Sequence, residues 1–365
     1  MVEPGTRVAL VLGTSAGGVG RHVAMLAGGL AGRGCRVVVA GPPSTEETFR
    51  FTRLGVGFVP VPISDRPRPA GDLRAVRELR RLRGAHAVHA HGLRAGALAA
   101  LALTGTGTPL AVTLHNAATA QGAVGAVYRL LERIVARRAD RVLVVSPDLG
   151  ERMSALGAGR VTAAVVPAPQ LPAPGRTAQE VRAALGADDR PILLTVARLA
   201  QQKGLETLLD AAAELASGPS PRPLFLVAGE GPLRGDLQRR IDRDGLPVRL
   251  LGARDDVADL LGAARALVVP SRWEGQPLSV QEALRAGTPV VATAVGGIPP
   301  MVGEGGLLVP YGDAAALAGA LARVLADDVL VRRLAGEAAR RGRELPGERE
   351  ALDAVAEVYR DLRRS

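Results

Sequence analysis

The stretch PILLTVARLAQQKGLETLLDAAAEL, residues 191–215, shows how this chain is built. Its first seven residues form an apolar run with the length of a buried strand. A short polar loop then leads into a segment whose apolar residues recur at helical spacing. The same rhythm of strand, loop and helix fills most of the chain. Near-continuous apolar strands that alternate with helices are typical of a parallel sheet covered by helices on both faces.

Thirteen apolar runs are predicted to be strands, seven before a proline-rich segment and six after it. The first seven are residues 7–13, 35–40, 56–62, 86–91, 109–115, 141–146 and 162–167. The other six are residues 191–197, 223–229, 248–252, 266–270, 289–293 and 306–310. The segment between the two sets, PAPQLPAPGR (167–176), has four prolines and no periodicity, which is typical of a linker.

This pattern predicts an α/β protein made of two tandem Rossmann-like, doubly wound parallel-sheet domains that face a central cleft. We expect an N-terminal domain over residues 1–168, a C-terminal domain over residues 169–345, and a helix over residues 346–365 that packs back on the first domain. Ligands in such sheets bind at the carboxyl ends of the strands. The candidate functional residues are therefore those that directly follow a strand.

The composition excludes several classes of protein. A single cysteine, Cys35, cannot form an intramolecular disulfide and favours a reducing compartment. The N-terminus has no basic region before an apolar core, and no apolar run reaches 18 residues, so we expect neither a signal peptide nor a membrane span. No Cys/His cluster has the spacing of a zinc site, and we expect no metal. A cytoplasmic protein is the prediction.

The net charge of +10 is unevenly distributed. Residues 1–167 carry +11 and the remainder carries −1. Much of the excess lies in LRAVRELRRLRG (73–84) and YRLLERIVARRADR (128–141), which are predicted to be amphipathic helices with basic faces. These faces are either solvated or docked on anionic lipid headgroups. Nucleic acid is a poorer fit, because no aromatic residues that could stack on bases lie among the arginines.

The loop after strand 191–197 carries two cations. The chain has 45 arginines but one lysine, Lys203, which follows Arg198 by five residues and stands where the next helix is predicted to begin. A helix N-terminus favours anions. An arginine fork and a compact ammonium group can bind the same phosphate. We interpret the pair as a phosphate clamp, the alternative being two isolated surface cations.

Two glutamates follow strand 266–270, in the segment EGQPLSVQE (274–282). Glu274 lies in a loop, and Glu282 is predicted to lie about two turns into the following helix. Eight residues turn a helix by about 800°, so the two side chains would not be strictly stacked. The loop can nevertheless bring Glu274 to the same ligand. The alternative is that these acids only stabilise the start of a helix.

The segment GTSAGGVGRH (13–22) follows the first strand and opens a helix. Gly17 and Gly18 would let backbone amides approach an anion at the N-terminus of that helix. The alternative is a tight strand-to-helix turn that requires glycine in any case.

A polar pair, His115 and Asn116, stands at the end of strand 109–115 and is predicted to face the cleft. The alternative for His115 is a structural histidine. Two further histidines, His89 and His91, end another strand, and we interpret both as structural. His22 on a helix and His86 at the start of a strand are given no role.

Taken together, these segments resemble the retaining nucleotide-sugar glycosyltransferases of the GT-B fold, family 4. LLTVARLAQQKGLETLLDAAAEL (193–215) is similar to the family's strand and Arg-Leu…Lys-Gly loop. EGQPLSVQEALRAGTPVVATAVGGIPPMVGEGGLLVPYGD (274–313) is similar to its E-x7-E region and the glycine-rich turn that follows. GGVGRHVAMLAGGLAGRG (17–34) resembles its first glycine loop and helix. The resemblance covers nearly the whole chain.

The resemblance implies an acceptor-binding first domain, a donor-binding second domain, and metal-independent transfer with retention. The donor would be a UDP- or GDP-sugar of the hexose type, used without a cofactor. The acceptor would be an alcohol, lipid-linked acceptors included. Arg198 and Lys203 would neutralise the leaving diphosphate, and Glu282 would hold the ribose hydroxyls. The other implied contacts to substrate are Glu274, Gly275, Gln276, Pro277 and Leu278, with Gly17, Gly18, His115 and Asn116 in the first domain.

The chain departs from the family pattern at four places. Ala197 stands where glycine is usual, VVPAPQ (165–170) replaces V-I-P-N-G-V-D, Gln276 replaces an apolar residue, and Pro300 replaces an acid. Two other functions therefore stay open: a nucleotide-sugar epimerase or hydrolase of the same fold, and a non-catalytic membrane-associated relative. The basic first half is also consistent with a peripheral protein on the inner face of a membrane.

Overall fold

The computed structural model describes residues 3–15, 17–117, 122–187, 189–218 and 222–364. The chain forms two compact units. The first unit comprises residues 1–167 and 346–365, and the second comprises residues 168–345. Each unit has its own parallel sheet and its own buried core.

The sheet of the first unit has seven parallel strands in the order β3-β2-β1-β4-β5-β6-β7. The strands are β1 (Arg7–Leu12), β2 (Arg36–Gly41), β3 (Gly57–Pro60), β4 (Ala87–His91), β5 (Leu110–Leu114), β6 (Arg141–Val144) and β7 (Val161–Ala163). The connecting helices are α1 (Gly18–Gly32), α2 (Pro43–Phe49), α3 (Pro69–Leu79), α4 (Leu93–Leu103), α5 (Gly122–Arg138) and α6 (Pro147–Ala155), with 3-10 turns at Phe51–Leu54 and Arg80–Leu82. The strand order reverses between β1 and β4, which is where a doubly wound sheet binds ligands.

The sheet of the second unit has six parallel strands in the order β10-β9-β8-β11-β12-β13. The strands are β8 (Ile192–Val196), β9 (Leu224–Ala228), β10 (Val248–Gly252), β11 (Ala266–Val269), β12 (Val290–Thr293) and β13 (Gly306–Val309). The helices are α7 (Ala178–Ala184), α8 (Leu205–Ala216), α9 (Arg234–Asp244), α10 (Val257–Ala263), α11 (Leu278–Ala286), α12 (Ile298–Val302), α13 (Ala314–Ala326) and α14 (Asp328–Glu344), with 3-10 turns at Gln201–Lys203 and Gly303–Gly305. Here the order reverses between β8 and β11.

Local sequence explains why these elements form. The strands β5, β9, β11 and β12 are buried along their whole length, as expected for parallel strands with helices on both faces. Helix α8 buries Leu205, Leu208, Leu209 and Ala212, a spacing that places one apolar stripe against the sheet. Helix α7 begins with a complete capping box between Thr177 and Glu180.

The predicted fold is confirmed, since each of the thirteen predicted strands coincides with an observed one to within four residues at either end. The proline-rich segment after residue 167 belongs to the second unit. Gln281 accepts a hydrogen bond from the backbone N–H of Ala168 at 2.8 Å, and Asp259 pairs with Arg176 at 2.9 Å. These contacts hold a segment without regular structure against α10 and α11.

The last helix, α15 (Glu348–Arg364), lies in the first unit. Its Tyr359 side chain is fully buried, and ion pairs join Asp353 to Arg33 at 2.6 Å and Asp361 to Arg141 at 3.0 Å. Among the helices in the described part of the chain, none combines the length and the apolar character that crossing a bilayer requires.

Candidate active site

Two loops come together at the carboxyl ends of β8 and β11, the adjacent strands at which the second sheet reverses. The loop after β8 runs from Ala197 to Gly204, and the loop after β11 runs from Pro270 to Pro277. The backbone N–H of Arg272 donates to the carbonyl of Gln202 at 2.8 Å, and the Gln202 amide donates to the carbonyl of Trp273 at 2.9 Å. The strand order therefore brings together two segments that are about seventy residues apart in the chain.

Lys203 and Glu274 form an ion pair where these loops meet. The Lys203 Nζ lies 2.5 Å from Glu274 Oε1, and the hydroxyl of Ser271 donates to the same oxygen at 2.7 Å. The Glu274 side chain is only 8% exposed and that of Lys203 is 22% exposed. Glu274 Oε2 has no hydrogen-bond partner among the described residues. One carboxylate oxygen is thus fixed by the protein and the other is available to a ligand.

Arg198 lies in the same loop but in a different environment. It directly follows the last residues of β8 and is exposed to solvent. Within the part of the chain that the structure describes, its guanidinium has neither an ion pair nor a hydrogen bond. A free guanidinium beside a paired ammonium leaves positive charge uncompensated at this edge of the sheet.

The position of Lys203 corrects the sequence-based interpretation in one respect. Lys203 does not begin the helix. It ends a 3-10 turn, Gln201–Lys203, and α8 begins at Leu205 after Gly204. Gly204, between the turn and the helix, adopts the left-handed conformation (φ +59°), which few residues other than glycine tolerate. The Lys203 ammonium group bonds to Glu274 instead of beginning the helix.

A third loop, after β12, closes on the backbone of Glu274. The N–H of Gly297 donates to the carbonyl of Glu274 at 2.9 Å. A Cβ on Gly296 would lie 2.0 Å from the same carbonyl oxygen, so glycine is required for this approach. Glu274 is therefore fixed through both its side chain and its backbone.

The residues after Glu274 lead directly into α11. Gly275 and Pro277 are buried, Gln276 and Leu278 are half-buried, and Pro277 is the residue that caps the helix. Glu282 is half-buried and is the fifth residue of α11. Glu282 lies just over one turn into the helix, because the helix begins four residues after Glu274. The prediction that it lies about two turns into the helix was wrong.

The glycine at position 204 provides a test of how tightly these loops pack. A Cβ at this position would lie 2.1 Å from the carbonyl oxygen of Pro270, whereas a Cβ at Gly245, which has the same φ of +59°, meets no atom within 4 Å. We expect Gly204→Ala to lower the free energy of unfolding by about 3 kcal/mol and Gly245→Ala by about 1 kcal/mol. Urea denaturation of both variants measures the difference. Equal losses would contradict the close packing.

The first unit carries a cavity of about 460 Å³ at the carboxyl ends of β1 and β4. Its wall includes His115 and Asn116, which follow β5 as predicted. Gly17 is the exposed residue that caps α1, and Gly18 is the first residue of that helix. A Cβ on Gly17 meets no atom within 4 Å, so packing alone does not require glycine there.

Four of the five histidines cluster beneath this cavity. His91 Nδ1 and His115 Nε2 are 3.1 Å apart, and the ring of His22 lies 5.6–5.7 Å from both rings. The His89 ring is tilted against that of His91 at a centroid distance of 4.2 Å, and its nitrogens bond to the hydroxyls of Tyr359 and Thr113 at 2.8 and 2.7 Å. His22, to which the sequence analysis gives no role, therefore lies within this cluster.

Burial keeps this cluster uncharged. It lowers the pKa of His22 to about 4 and that of His89 to about 3, and it holds the pKa values of His91 and His115 well below the ordinary value. A neutral imidazole at position 115 can donate one hydrogen bond and accept another. The described residues form no group of three or more metal-ligating side chains suited to a metal ion.

The cluster should make stability depend on pH. Above pH 6.5 these histidines are neutral in both the folded and the unfolded state. As the pH falls from about 6.5 towards 4, the unfolded chain takes up protons that buried His22 does not, and the free energy of unfolding falls, by about 3 kcal/mol for His22 alone. Urea titrations between pH 7 and 4.5 should show a shallower fall for His22→Leu than for the wild type. An equal fall in the free energy of unfolding of His22→Leu and of the wild type would contradict this role of His22.

The sequence interpretation missed several residues that shape these sites. Ser271 and the close-packing glycines Gly204, Gly229 and Gly296 are the clearest examples, and a Cβ on Gly229 would lie 1.9 Å from the carbonyl oxygen of Ala197. Only Gly229 has a clear sequence signal, which is a glycine directly after a strand. That signal marks a position where another loop approaches, although it does not say which one.

Comparisons with known proteins agree with this architecture. The family described as glycosyl transferases group 1 matches residues 190–327, and the glycosyl transferase 4-like domain matches residues 17–169. The chain is 31% identical over 317 residues to alpha-D-kanosaminyltransferase of Streptomyces kanamyceticus, covering 80% of this chain and 81% of that protein. It is 35% identical over 300 residues to D-inositol 3-phosphate glycosyltransferase of Streptomyces avermitilis, covering 74% and 64%.

A solved structure supports the fold. The Anabaena protein HepE, in complex with UDP-glucose, superimposes with a TM-score of 0.81 at 20% identity, covering 97% of this chain and all of that one. At that identity the likeness concerns the fold. The two family matches and the identity to curated glycosyltransferases over most of the chain show the family as well as the fold. This chain belongs to the group 1 glycosyltransferases, family 4 of the GT-B fold.

Proposed function

We propose that this protein is a metal-independent, retaining glycosyltransferase that moves a hexose-type sugar from a UDP- or GDP-sugar to an alcohol acceptor. The observation that carries the proposal is the arrangement around Glu274. At the carboxyl ends of β8 and β11 a lysine pairs with a glutamate that has one open oxygen, and an exposed arginine lies in the same loop as the lysine. Donor binding is assigned to the second unit and acceptor binding to the first.

The two cations are suited to the donor diphosphate. Lys203 uses one of its three N–H donors on Glu274, which leaves two for phosphate oxygens. Arg198 can contribute its whole planar fork. Fixed cations stabilise a leaving diphosphate most strongly when they are already in place before the reaction. The ion pair with Glu274 holds Lys203 in place in this way.

The carboxylates are suited to hydroxyl groups. Glu274 Oε2 can accept a hydrogen bond from a hydroxyl of the donor sugar, while Lys203 and Ser271 hold Oε1. Gly275, Gln276, Pro277 and Leu278 extend this surface to the start of α11, and Glu282 on α11 would bind the ribose hydroxyls. Glu274 already bonds to an ammonium group and is not placed as a nucleophile, unlike the paired carboxylates of glycoside hydrolases.

The proposed transfer needs no nucleophile from the enzyme. The acceptor oxygen forms a bond to the anomeric carbon as the bond from that carbon to the β-phosphate oxygen breaks. The acceptor proton passes to the departing diphosphate, and the products are a glycoside and a nucleoside diphosphate. Attack on the face that the diphosphate leaves retains the anomeric configuration. His115 lines the cavity of the first unit and would orient a hydroxyl as a neutral imidazole.

The experiment is donor consumption with and without EDTA, with the product's anomeric configuration determined by NMR. We expect turnover in EDTA to stay within about twofold of the untreated protein, and the product to keep the configuration of the donor. Loss of turnover in EDTA that Mg²⁺ restores would overturn metal independence. An inverted product would overturn retention, and the absence of any donor consumption would overturn the activity itself.

We also propose that the protein is cytoplasmic and docks peripherally on the inner face of a membrane. Helix α5 exposes the apolar side chains of Val127 and Leu130 on the face that carries Arg133 and Arg137. Apolar side chains flanked by arginine are suited to the headgroup region of an anionic bilayer. Flotation with anionic vesicles should recover the wild type, and Leu130→Glu should abolish recovery. Equal recovery with neutral vesicles would contradict the proposal.

A further inference from the structure

The cavity of the first unit has charged as well as polar side chains in its wall. Its wall includes two charged side chains, Asp65 and Arg94, together with the polar side chains of Thr14, Ser15 and Asn116. The charge of this wall bears on the acceptor, and the inference below rests on the proposed function.

Arg94 is held by two contacts that the protein supplies. Its Nε donates to the carbonyl of Ser64 at 2.7 Å, and one terminal nitrogen pairs with Asp72 at 2.6 Å. The Arg94 side chain is 10% exposed and that of Asp72 is 21% exposed. The carboxylate of Asp72 thus compensates the charge of this guanidinium. The Arg94–Asp72 pair therefore contributes no net charge to the cavity.

Asp65 is the second charged side chain of the cavity wall. It is exposed in the cavity wall, and the described residues offer its carboxylate no ion pair and no hydrogen bond. His91 and His115, which also line the wall, are buried and neutral. The described side chains of the wall thus carry a net charge of −1.

Asp65 therefore points to the chemical class of the acceptor. We infer that this cavity binds a polyhydroxylated ring that carries an amine, with the ammonium group on Asp65 and the ring hydroxyls on Thr14, Ser15 and Asn116. An ammonium on a carboxylate forms a charge-assisted hydrogen bond, which is stronger than one between neutral groups. A phosphorylated acceptor would instead bring two negative charges to a wall that already carries this carboxylate, and the N-termini of α1 and α4 would offset them only in part.

Three six-membered carbocycles test the inference by calorimetric titration of the whole chain at pH 7.5. The probes are 2-deoxystreptamine, which carries amines, myo-inositol, which is neutral, and D-inositol 3-phosphate. We expect 2-deoxystreptamine to bind about tenfold more tightly than myo-inositol, and D-inositol 3-phosphate to bind most weakly. Tighter binding of the phosphate, equal binding of the three, or no binding of any would overturn the inference.

Two variants assign the preference to Asp65. Asp65→Asn should reduce the affinity for 2-deoxystreptamine by about tenfold and leave that for myo-inositol unchanged. Asp255→Asn removes an exposed aspartate of the second unit and should change neither affinity. Equal effects of the two variants would contradict the assignment. Failure of the proposed function would be recognised by a separate measurement. In that case the protein would consume no nucleotide-sugar, whichever of the three probes it binds.

Discussion

Replacing Lys203 with alanine is expected to lower kcat by roughly 10²–10³-fold, the scale of losing one fixed donor to a developing charge. Lys203 is the ammonium group nearest Glu274 and the only lysine in the chain. Without it the departing diphosphate loses a cation, and Glu274 keeps only the hydroxyl of Ser271. Steady-state turnover at saturating donor measures the effect. Near-normal turnover would reject the role of Lys203 in stabilising the leaving group.

The same substitution should also reduce stability, and this has to be separated from the loss of turnover. Glu274 is 8% exposed, so an unpaired carboxylate there should cost roughly 1–3 kcal/mol. Lys203→Arg keeps the charge and serves as the matched control. We expect it to retain most of the stability and still turn over poorly, because the guanidinium fork is bulkier than the ammonium it replaces. A fully active arginine variant would show that any cation suffices.

Replacing Arg198 with alanine is expected to lower kcat by roughly 10²-fold without a change in stability. Its guanidinium is exposed and has no partner among the described residues, so nothing in the folded unit depends on it. The matched control is Arg222→Ala, which removes another exposed arginine just before β9, at the opposite edge of the same sheet. Donor turnover and urea denaturation of both variants provide the comparison.

The two arginine variants should differ in turnover alone. Both should unfold within about 0.5 kcal/mol of the wild type, as is usual for substitutions on an exposed surface. Equal turnover of Arg198→Ala and Arg222→Ala would show that the loss reflects overall charge rather than position. A clear loss of stability in Arg198→Ala would contradict the description of that side chain as unpartnered.

The strands could be predicted from the sequence because parallel strands buried on both faces leave an apolar run that few other structures produce. The turns between them carry glycine and proline, which end such runs clearly. The order of strands within each sheet has no comparable local signal. That order makes β8 and β11 neighbours and brings Lys203 to Glu274 across 71 residues of chain.

From the sequence alone, residues of the candidate site could be predicted only where a charged or polar side chain stands at or just after the end of a strand. Arg198 and His115 could be found because each stands at the end of an apolar run, and Glu274 because it lies in the short loop after one. The histidine cluster could not, because His22 lies on α1 while His91 ends β4, and only the fold brings the two rings within 6 Å. Lys203 shows both cases, since its rarity singled it out while its partner depended on the fold.

The most direct test of the central claim, a diphosphate clamp formed by Arg198 and Lys203, is calorimetric titration of UDP and UMP, and of GDP and GMP, in EDTA. The account predicts that at least one diphosphate binds about tenfold or more tightly than its monophosphate, because the β-phosphate adds charge-assisted hydrogen bonds to both cations. The advantage should largely disappear in Lys203→Ala. Equal affinity of monophosphate and diphosphate for the wild type, for both bases, would contradict the account.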